Sequence, residues 1–252
     1  MKISIVTPTF NSANTIQSNI DSIKSQSYKD YQLIIVDNKS TDETIEIIKK
    51  NDVPNIKFLI EEDLGIFDAI NKGIKISDHE LISVLHSDDL FSDNDVLKNI
   101  VEAFDKDKSN DIVYGDLIYV KKDNININLR YWKPGPFVKN LFFKGWHPPH
   151  PSFFAKKKLF DDYGYYDLIN GNSADVELMF RFLNTNNIKS KYLNKTLVKM
   201  RYGGASNKNI FTIIKQNIKI MKFLKIHKNY YKVCIFILYK FLDRLKQFVI
   251  KE

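Results

Sequence analysis

The residues best placed to do chemistry are two adjacent carboxylates, Asp88 and Asp89, in the run Leu85-His-Ser-Asp-Asp-Leu90. They directly follow an apolar stretch, and hard oxygen ligands there suit a divalent cation such as Mn2+ or Mg2+. Neighbouring side chains in an extended segment diverge, so one carboxylate can hold a metal while the other reaches a ribose or a water. A cation held there would offset the charge of a pyrophosphate and stabilise it as a leaving group. The pair equally suits a solvated loop, or the N-cap of a helix over residues 92–104. A third carboxylate, Asp175, opens the helical pattern of residues 174–183. Backbone donors and the helix dipole favour its ionised form, and an ionised carboxylate can take a proton from an attacking hydroxyl. Capping the helix is the other role open to it. His147 and His150 are separated by two prolines and share no helix face, so they do not read as a metal pair. Trp146 beside them reads as core, with stacking on a sugar as the alternative.

These residues need elements to position them. Residues 3–6 and 32–36 are β-branched runs, each followed by a polar turn and then a helical pattern. Ile16, Ile20 and Ile23 mark the first helix, and Thr44, Ile45 and Ile48 the second, with Ser40 or Thr41 as its N-cap. Residues 55–60 predict a third strand, 65–76 a helix and 80–85 a fourth strand. Such alternation implies βαβ units and a mainly parallel sheet, in which ligands bind beyond the carboxyl ends of strands. Candidate site residues should therefore follow Val6, Val36, Ile60 and Leu85. Further on, residues 111–120 and 125–131 read as strands, Lys133-Pro-Gly-Pro136 as a break and Tyr202-Gly-Gly204 as a turn.

The length of 252 residues fits one α/β domain with an appendage. A single cysteine, Cys234, excludes an internal disulfide and a Cys-rich zinc site, and suits a reducing cytosol. Met1 and Lys2 run straight into a strand, so no secretory signal is expected. The net charge of +8 is a property of the tail: residues 207–252 carry eleven Lys/Arg against two Asp/Glu. The rest is near neutral, which argues against a nucleic-acid footprint across the body. In the tail, Lys215, Lys219 and Lys222 recur at helical spacing, with Ile213, Ile214, Ile218 and Met221 on another side. The apolar run 233–239 is far short of the roughly 20 residues that span a bilayer. A basic amphipathic helix lying on an anionic membrane surface is the preferred reading, each cation adding about 1 kcal/mol. A helical pair docked on the body is the alternative.

Taken together, the motifs resemble family 2 inverting glycosyltransferases of the GT-A fold, in particular bacterial O-antigen, capsule and exopolysaccharide assembly enzymes. The resemblance runs through Thr7-Pro-Thr-Phe-Asn11, Ile34-Ile-Val-Asp-Asn-Lys-Ser-Thr-Asp42 and Glu61-Glu-Asp-Leu-Gly-Ile-Phe-Asp-Ala-Ile-Asn-Lys-Gly73. It continues through His86-Ser-Asp-Asp89, Asp111-Ile-Val-Tyr-Gly-Asp116, His150-Pro-Ser-Phe-Phe154, Ala174-Asp-Val-Glu-Leu-Met-Phe-Arg181 and Tyr202-Gly-Gly-Ala-Ser206. It implies that Thr7, Pro8 and Thr9 lie along the nucleotide, that Asp37 binds uracil or ribose, and that Asp63 and Gly65 form a third nucleotide-contacting loop. Asp88 and Asp89 match the ribose and metal carboxylates, with Asp89 the direct ligand, and Asp175 matches the catalytic base. The family often has an acidic residue at His86, an Arg at Ile70 and a Glu at Ala174. The phosphate role of that Arg would pass to Lys72, beside Asn71. Arg201 is a pyrophosphate contact on a lid or a solvated loop residue, and Arg181 a helix-face residue with an ion partner. His150 falls on the acceptor side with Trp146.

The resemblance implies a GT-A catalytic domain over residues 1–206, with a nucleotide-sugar half (1–120) and an acceptor and base half (121–206). Residues 207–252 form the C-terminal basic amphipathic helical extension. The implied reaction moves a hexose or N-acetylhexosamine from a nucleotide sugar, a UDP-sugar by preference, to a glycan hydroxyl, with a divalent metal ion. A polyprenyl-diphosphate-linked acceptor would explain a peripheral position on the cytoplasmic face of the cell membrane. The other class considered is a non-catalytic nucleotide-binding protein whose basic tail holds RNA or a partner. A nucleotidyltransferase lacks support, since no glycine-rich phosphate loop with a lysine is present.

Overall fold

A computed structural model describes residues 1–185, 187–203 and 210–249. The first half follows from the β-branched runs. Strands β1 (Ile3–Thr9), β2 (Tyr31–Asp37), β3 (Ile56–Ile60) and β4 (Leu81–Val84) pair in parallel in the order β3-β2-β1-β4. Every residue of β1 and β2 is buried, as expected for strands covered on both faces. Helices α1 (Ile16–Lys24), α2 (Thr44–Lys50) and α3 (Ile66–Lys75) make the crossovers. In register, Thr9 stands beside Asp37 and Val6 beside Val84, so the strand ends meet along one edge. Helix α3 comes so close to this sheet that a Cβ on Gly73 would lie 2.4 Å from Val6 Cγ1. Only glycine allows that approach.

The second half corrects the expectation of a mainly parallel sheet. Strands β5 (Asp89–Phe91), β6 (Ile112–Lys121), β7 (Asn124–Trp132), β8 (Phe153–Lys156) and β9 (Ser190–Arg201) extend it to β3-β2-β1-β4-β8-β6-β9-β5, with β7 on β6. Of the pairs these make, β4/β8, β6/β8, β6/β7 and β5/β9 are antiparallel and only β6/β9 is parallel. Periodicity reports a strand, not its partner, and β9 is rich in Lys, so its pattern is masked. Helix α4 (Val96–Lys106) begins later than expected because residues 89–91 are taken into the sheet. Neither Ser40 nor Thr41 caps α2. Ser40 is spent on Asp37, and Asp42 Oδ1 accepts from Thr44 N instead, at 3.0 Å.

Helices α5 (Lys157–Tyr163) and α6 (Ala174–Leu183) cover one face of the sheet, and α1 and α4 the other. Two further helices, α7 (Ile210–Phe223) and α8 (Tyr230–Val249), pack onto the α6 side. Ile220, Met221, Leu224, Ile226 and Phe236 are buried in the same apolar cluster as Val6, Ile34 and Met179. Part of the tail's apolar face therefore docks on the body. Its outer side stays bare: Ile237, Leu238, Phe241, Leu245 and Phe248 are exposed. No described helix is long and apolar enough to cross a membrane. The 206/207 junction, with Gly204, Ala205 and Ser206 of the glycine turn, lies outside the described residues.

Candidate active site

The loop between β4 and β5 is fixed from three directions. Asn19 on α1 donates to the carbonyls of His86 and Asp89, both at 2.9 Å. Asp89 begins β5 and pairs with Met200 of β9. Arg201, the last residue of β9, donates from Nη1 to the Asp88 carbonyl at 2.6 Å and from Nη2 to Ser18 Oγ at 2.9 Å. It is buried rather than a solvated loop residue, and it braces the carboxylate loop.

Within this frame Asp89 is fully buried, and neither of its carboxylate oxygens has a hydrogen-bond partner among the described residues. Burial pushes its carboxyl well above the usual range, the Asp88 charge adds to this, and Arg201 opposes it. His86 Nδ1 lies 3.7 Å from Asp89 Oδ2, while His86 Nε2 is buried without a partner among the described residues. Burial lowers the His86 pKa and keeps the ring neutral. One ligand atom from each of His86, Asp88 and Asp89 falls within 4.8 Å of the others. A buried carboxylate without donors is costly, and two carboxylates with a neutral imidazole are suitable donors for a divalent cation. The residues fit such an ion. In the sequence alone His86 stands only as a departure from the family pattern. Its position three residues before Asp89 was the available signal.

Along the ends of β1, β2 and β3 the candidate nucleotide residues form a connected rim. Thr7, Pro8 and Thr9 are buried, and Thr7 Oγ1 has no partner among the described residues. Asp37 accepts from Thr9 Oγ1, Ser40 Oγ and Ser40 N, each at 2.7 Å. Its neighbour Asn38 accepts from Asp63 N at 3.0 Å, and Asp63 Oδ1 accepts from Gly65 N at 2.8 Å. Asn71 and Lys72 are engaged by the protein. Asn71 bonds both the N–H and the carbonyl of Tyr166, and Lys72 pairs with Glu61 at 2.8 Å.

Helix α6 carries Asp175 in its first turn, and Ser173 precedes the helix as its N-cap residue. Asp175 Oδ1 accepts from Val176 N at 2.8 Å. Backbone donors do not dominate here, contrary to the expectation from its place at a helix start. Burial overrides them and pushes the carboxyl up to about 6, with the Lys240 ammonium opposing the rise. A carboxylate poised near neutrality is well matched to general base chemistry. Arg181 forms a two-pronged pair with Glu177 and also donates to the carbonyls of Tyr163, Gly164 and Tyr165, so it staples the preceding loop.

Two residues bridge the halves. His150 is buried, with its ring 5.6 Å from that of His86 and its Nε2 2.7 Å from Tyr166 Oη. Burial drives its pKa well below the ordinary value, and the neighbouring Asp175 charge helps hold the Tyr166 phenol protonated. A neutral polar line thus runs from His86 through His150 and Tyr166 toward Asp175. Trp146 is tied down, donating to the Pro134 carbonyl at 2.7 Å and packing against Tyr114, Phe137 and Phe142. Sequence reasoning missed Asn19 and Tyr166, whose importance comes only from what they touch.

A parallel half-sheet with an acidic loop at its carboxyl edge, continued by an antiparallel half, is the GT-A arrangement of sugar transferases. Residues 4–164 match Glycosyl transferase family 2. The chain belongs to that family and is a glycosyltransferase. It is 29% identical over 209 residues to a PGL/p-HBAD biosynthesis glycosyltransferase of Mycobacterium tuberculosis, covering 81% of this chain and 78% of that one. An uncharacterized glycosyltransferase of the same species is 30% identical over 181 residues, 71% of this chain and 68% of the relative. Among solved structures, Staphylococcus aureus TarS residues 1–349 in complex with UDP-GlcNAc superposes with a TM-score of 0.65 at 18% identity, over 91% of this chain and 73% of that one. The mannosyltransferase PcManGT from Pyrobaculum calidifontis, in complex with GDP-Man and Mn2+, gives 0.63 at 17% identity, over 94% and 73%. At that identity the structures speak for the fold.

Proposed function

We propose that this glycosyltransferase takes a hexose or N-acetylhexosamine from a nucleotide sugar, a UDP-sugar by preference, and joins it to a glycan hydroxyl with inversion at the anomeric carbon. The observation that carries the reading is the buried Asp89 carboxylate, without donors among the described residues, grouped with Asp88 and His86, from which His150 and Tyr166 lead toward the raised Asp175. Asp89, Asp88 and His86 would hold a divalent ion, Mn2+ or Mg2+, which when bound offsets the negative charge of the diphosphate. Thr7, Pro8, Thr9, Asp37, Asp63 and Gly65 line the nucleotide, and Arg201 adds positive charge beside the phosphates. The acceptor hydroxyl gives its proton to Asp175 Oδ2, since Oδ1 is taken by Val176 N. As that proton leaves, the oxygen bonds the anomeric carbon and the bond to the diphosphate breaks in a single displacement. His150 and Tyr166, both held neutral, orient the acceptor without competing for its proton.

The bare face of α8, flanked by Lys232 and Lys246, supports docking on an anionic membrane surface. That suits a polyprenyl-diphosphate-linked acceptor at the cytoplasmic face, in the assembly of a bacterial surface polysaccharide. The complexes of TarS with UDP-GlcNAc and of PcManGT with Mn2+ support the donor class and the metal. A thermal-shift panel of UDP, GDP, dTDP and CMP with and without Mn2+ tests the donor site. UDP with Mn2+ should raise the melting temperature most. No shift with any nucleotide, with or without metal, would refute the proposal.

A further inference from the structure

Arg130 on β7 is a buried cation, 5% exposed. Its Nε has no hydrogen-bond partner among the described residues, and no described carboxylate lies within 4.0 Å of it. Two rings take the place of a counter-charge. The guanidinium carbon lies 3.9 Å from the centroid of Tyr119 on β6 and 5.7 Å from that of Phe248 on α8. A ring face offsets part of the lost hydration, but a buried cation is ordinarily completed by an anion. The register sets this cation in one row with the carboxylate loop. Arg130 stands opposite Tyr119, Tyr119 beside Met200, and Met200 opposite Asp89. Trp132, two residues along the same face of β7, meets His147 edge-on with ring centroids 5.1 Å apart, so the row borders the acceptor-side segment. Helix α8 closes the other side. Phe236, Lys240, Arg244 and Phe248 recur every four residues and form one stripe, which touches Gly145 at one end and Arg130 at the other. At Gly145 (φ 78°) a Cβ would stand 2.9 Å from Lys240 Cβ.

We propose that Arg130, with Arg244 one helical turn before its neighbour Phe248, forms a subsite for the phosphate of a lipid-linked acceptor, separate from the place of the donor diphosphate at Asp89. The guanidinium fork matches phosphate oxygens in a two-pronged contact, and the orphaned Nε–H supplies a donor for it. Spacing separates the two phosphate sites. With strands about 4.8 Å apart, the backbone of Tyr119 lies roughly 10 Å from that of Asp89. A guanidinium stacked over Tyr119 is therefore too far out to share a diphosphate held at Asp89, and it leaves room for a sugar ring between them. The surroundings also point to a lipid. Phe248 belongs both to the Arg130 contact and to the exposed apolar face of α8, and Tyr202, which meets Tyr119 edge-on at 6.4 Å, is exposed as well. The subsite thus opens beside the face that supports membrane docking. An acceptor entering past α8 would leave its phosphate at Arg130 and carry its sugar on toward Asp89 and Asp175.

The inference rests on the lipid-linked acceptor proposed above, and the test separates the two. Full-length protein, its donor site filled with saturating UDP and Mn2+, is titrated by calorimetry with farnesyl phosphate and with farnesol. Wild type should prefer the phosphate by about tenfold or more. Arg130→Met should lose about 10- to 100-fold in affinity for farnesyl phosphate, the worth of a charge-assisted contact. Arg130→Lys keeps the charge without the fork and should fall between the two, so it carries the test where Arg130→Met does not fold. Affinity for UDP with Mn2+ should be the same in every variant, which also shows that each is folded. Wild type that binds farnesyl phosphate no better than farnesol counts against the lipid-linked acceptor and the subsite together. A preference that survives in full in Arg130→Met and Arg130→Lys overturns the subsite alone. Weakened UDP affinity in a variant of unchanged melting temperature gives Arg130 to the donor diphosphate and overturns the subsite too. Vesicles of phosphatidylcholine, with and without phosphatidic acid, separate the acceptor from bulk headgroups. Arg130→Met should bind them as wild type does, and a loss matching that for farnesyl phosphate would overturn the assignment to the acceptor.

Discussion

Replacing Phe236 by Ala should destabilise the whole catalytic body, although the residue lies beyond every recognisable motif. Its side chain is 1% exposed and sits in the cluster that contains Val6 of β1 and Met179 of α6. Emptying such a site costs about 3–5 kcal/mol, because the cavity adds to the lost transfer energy. For a chain of 252 residues, unfolding entropy near 0.5 kcal/mol/K turns that into a fall of roughly 6–10 °C in melting temperature. Phe241→Ala is the control on the same helix. Phe241 is 59% exposed, and its loss should move the melting temperature by about 1 °C or less. Differential scanning calorimetry of the three proteins in one buffer measures both. Removing residues 207–252 takes away Ile220, Met221, Leu224, Ile226 and Phe236 together. At about 1.5–3 kcal/mol each, this approaches the entire stability of a domain, so the shortened chain should unfold or aggregate. If Phe236→Ala melts within about 2 °C of wild type, α8 is not part of the core and the reasoning fails.

Four further outcomes are expected. Asp89→Ala should remove the effect of Mn2+ on UDP affinity measured by calorimetry, and a metal dependence that survives would move the ion elsewhere. Asp175→Asn should lower turnover by about 10²–10⁴-fold while donor affinity holds. In wild type the rate should climb as pH rises through about 6, where the raised carboxyl loses its proton and becomes able to accept another. A flat profile between pH 5 and 7 would count against Asp175 as the base. Full-length protein should bind vesicles containing anionic lipid better than neutral ones, with binding weakened by salt, because exposed charges are screened beyond roughly 8 Å at physiological ionic strength. Phe241→Ala should weaken that binding without changing stability, and an indifference to lipid charge at low salt would remove the membrane from the account.

Much of this protein was legible before any tertiary structure. The β-branched runs of the first half, the turn residues after Val6 and Val36, and the helix over residues 174–183 are local signals, since each depends on residues within a turn or two of one another. The order of motifs was enough to identify the family and to single out Asp88, Asp89 and Asp175. What local pattern could not supply was partnership. Nothing in the Lys-rich run Ser190–Arg201 says that it lies parallel to β6 and delivers Arg201 to the carbonyl of Asp88. Nothing in the spacing of the tail lysines separates Lys240, turned inward beside Gly145, from Lys246 in solvent. The rise in the Asp175 pKa also escapes its helix position, because backbone donors are a local property and desolvation is not. By itself the sequence determined the elements of the first half and the helix over residues 174–183, the reaction class and the carboxylates available to serve it. The packing of distant segments decided which of those carboxylates lost water, which cations reached them and how far each proton affinity moved, because dielectric environment and charge proximity are set by neighbours in space.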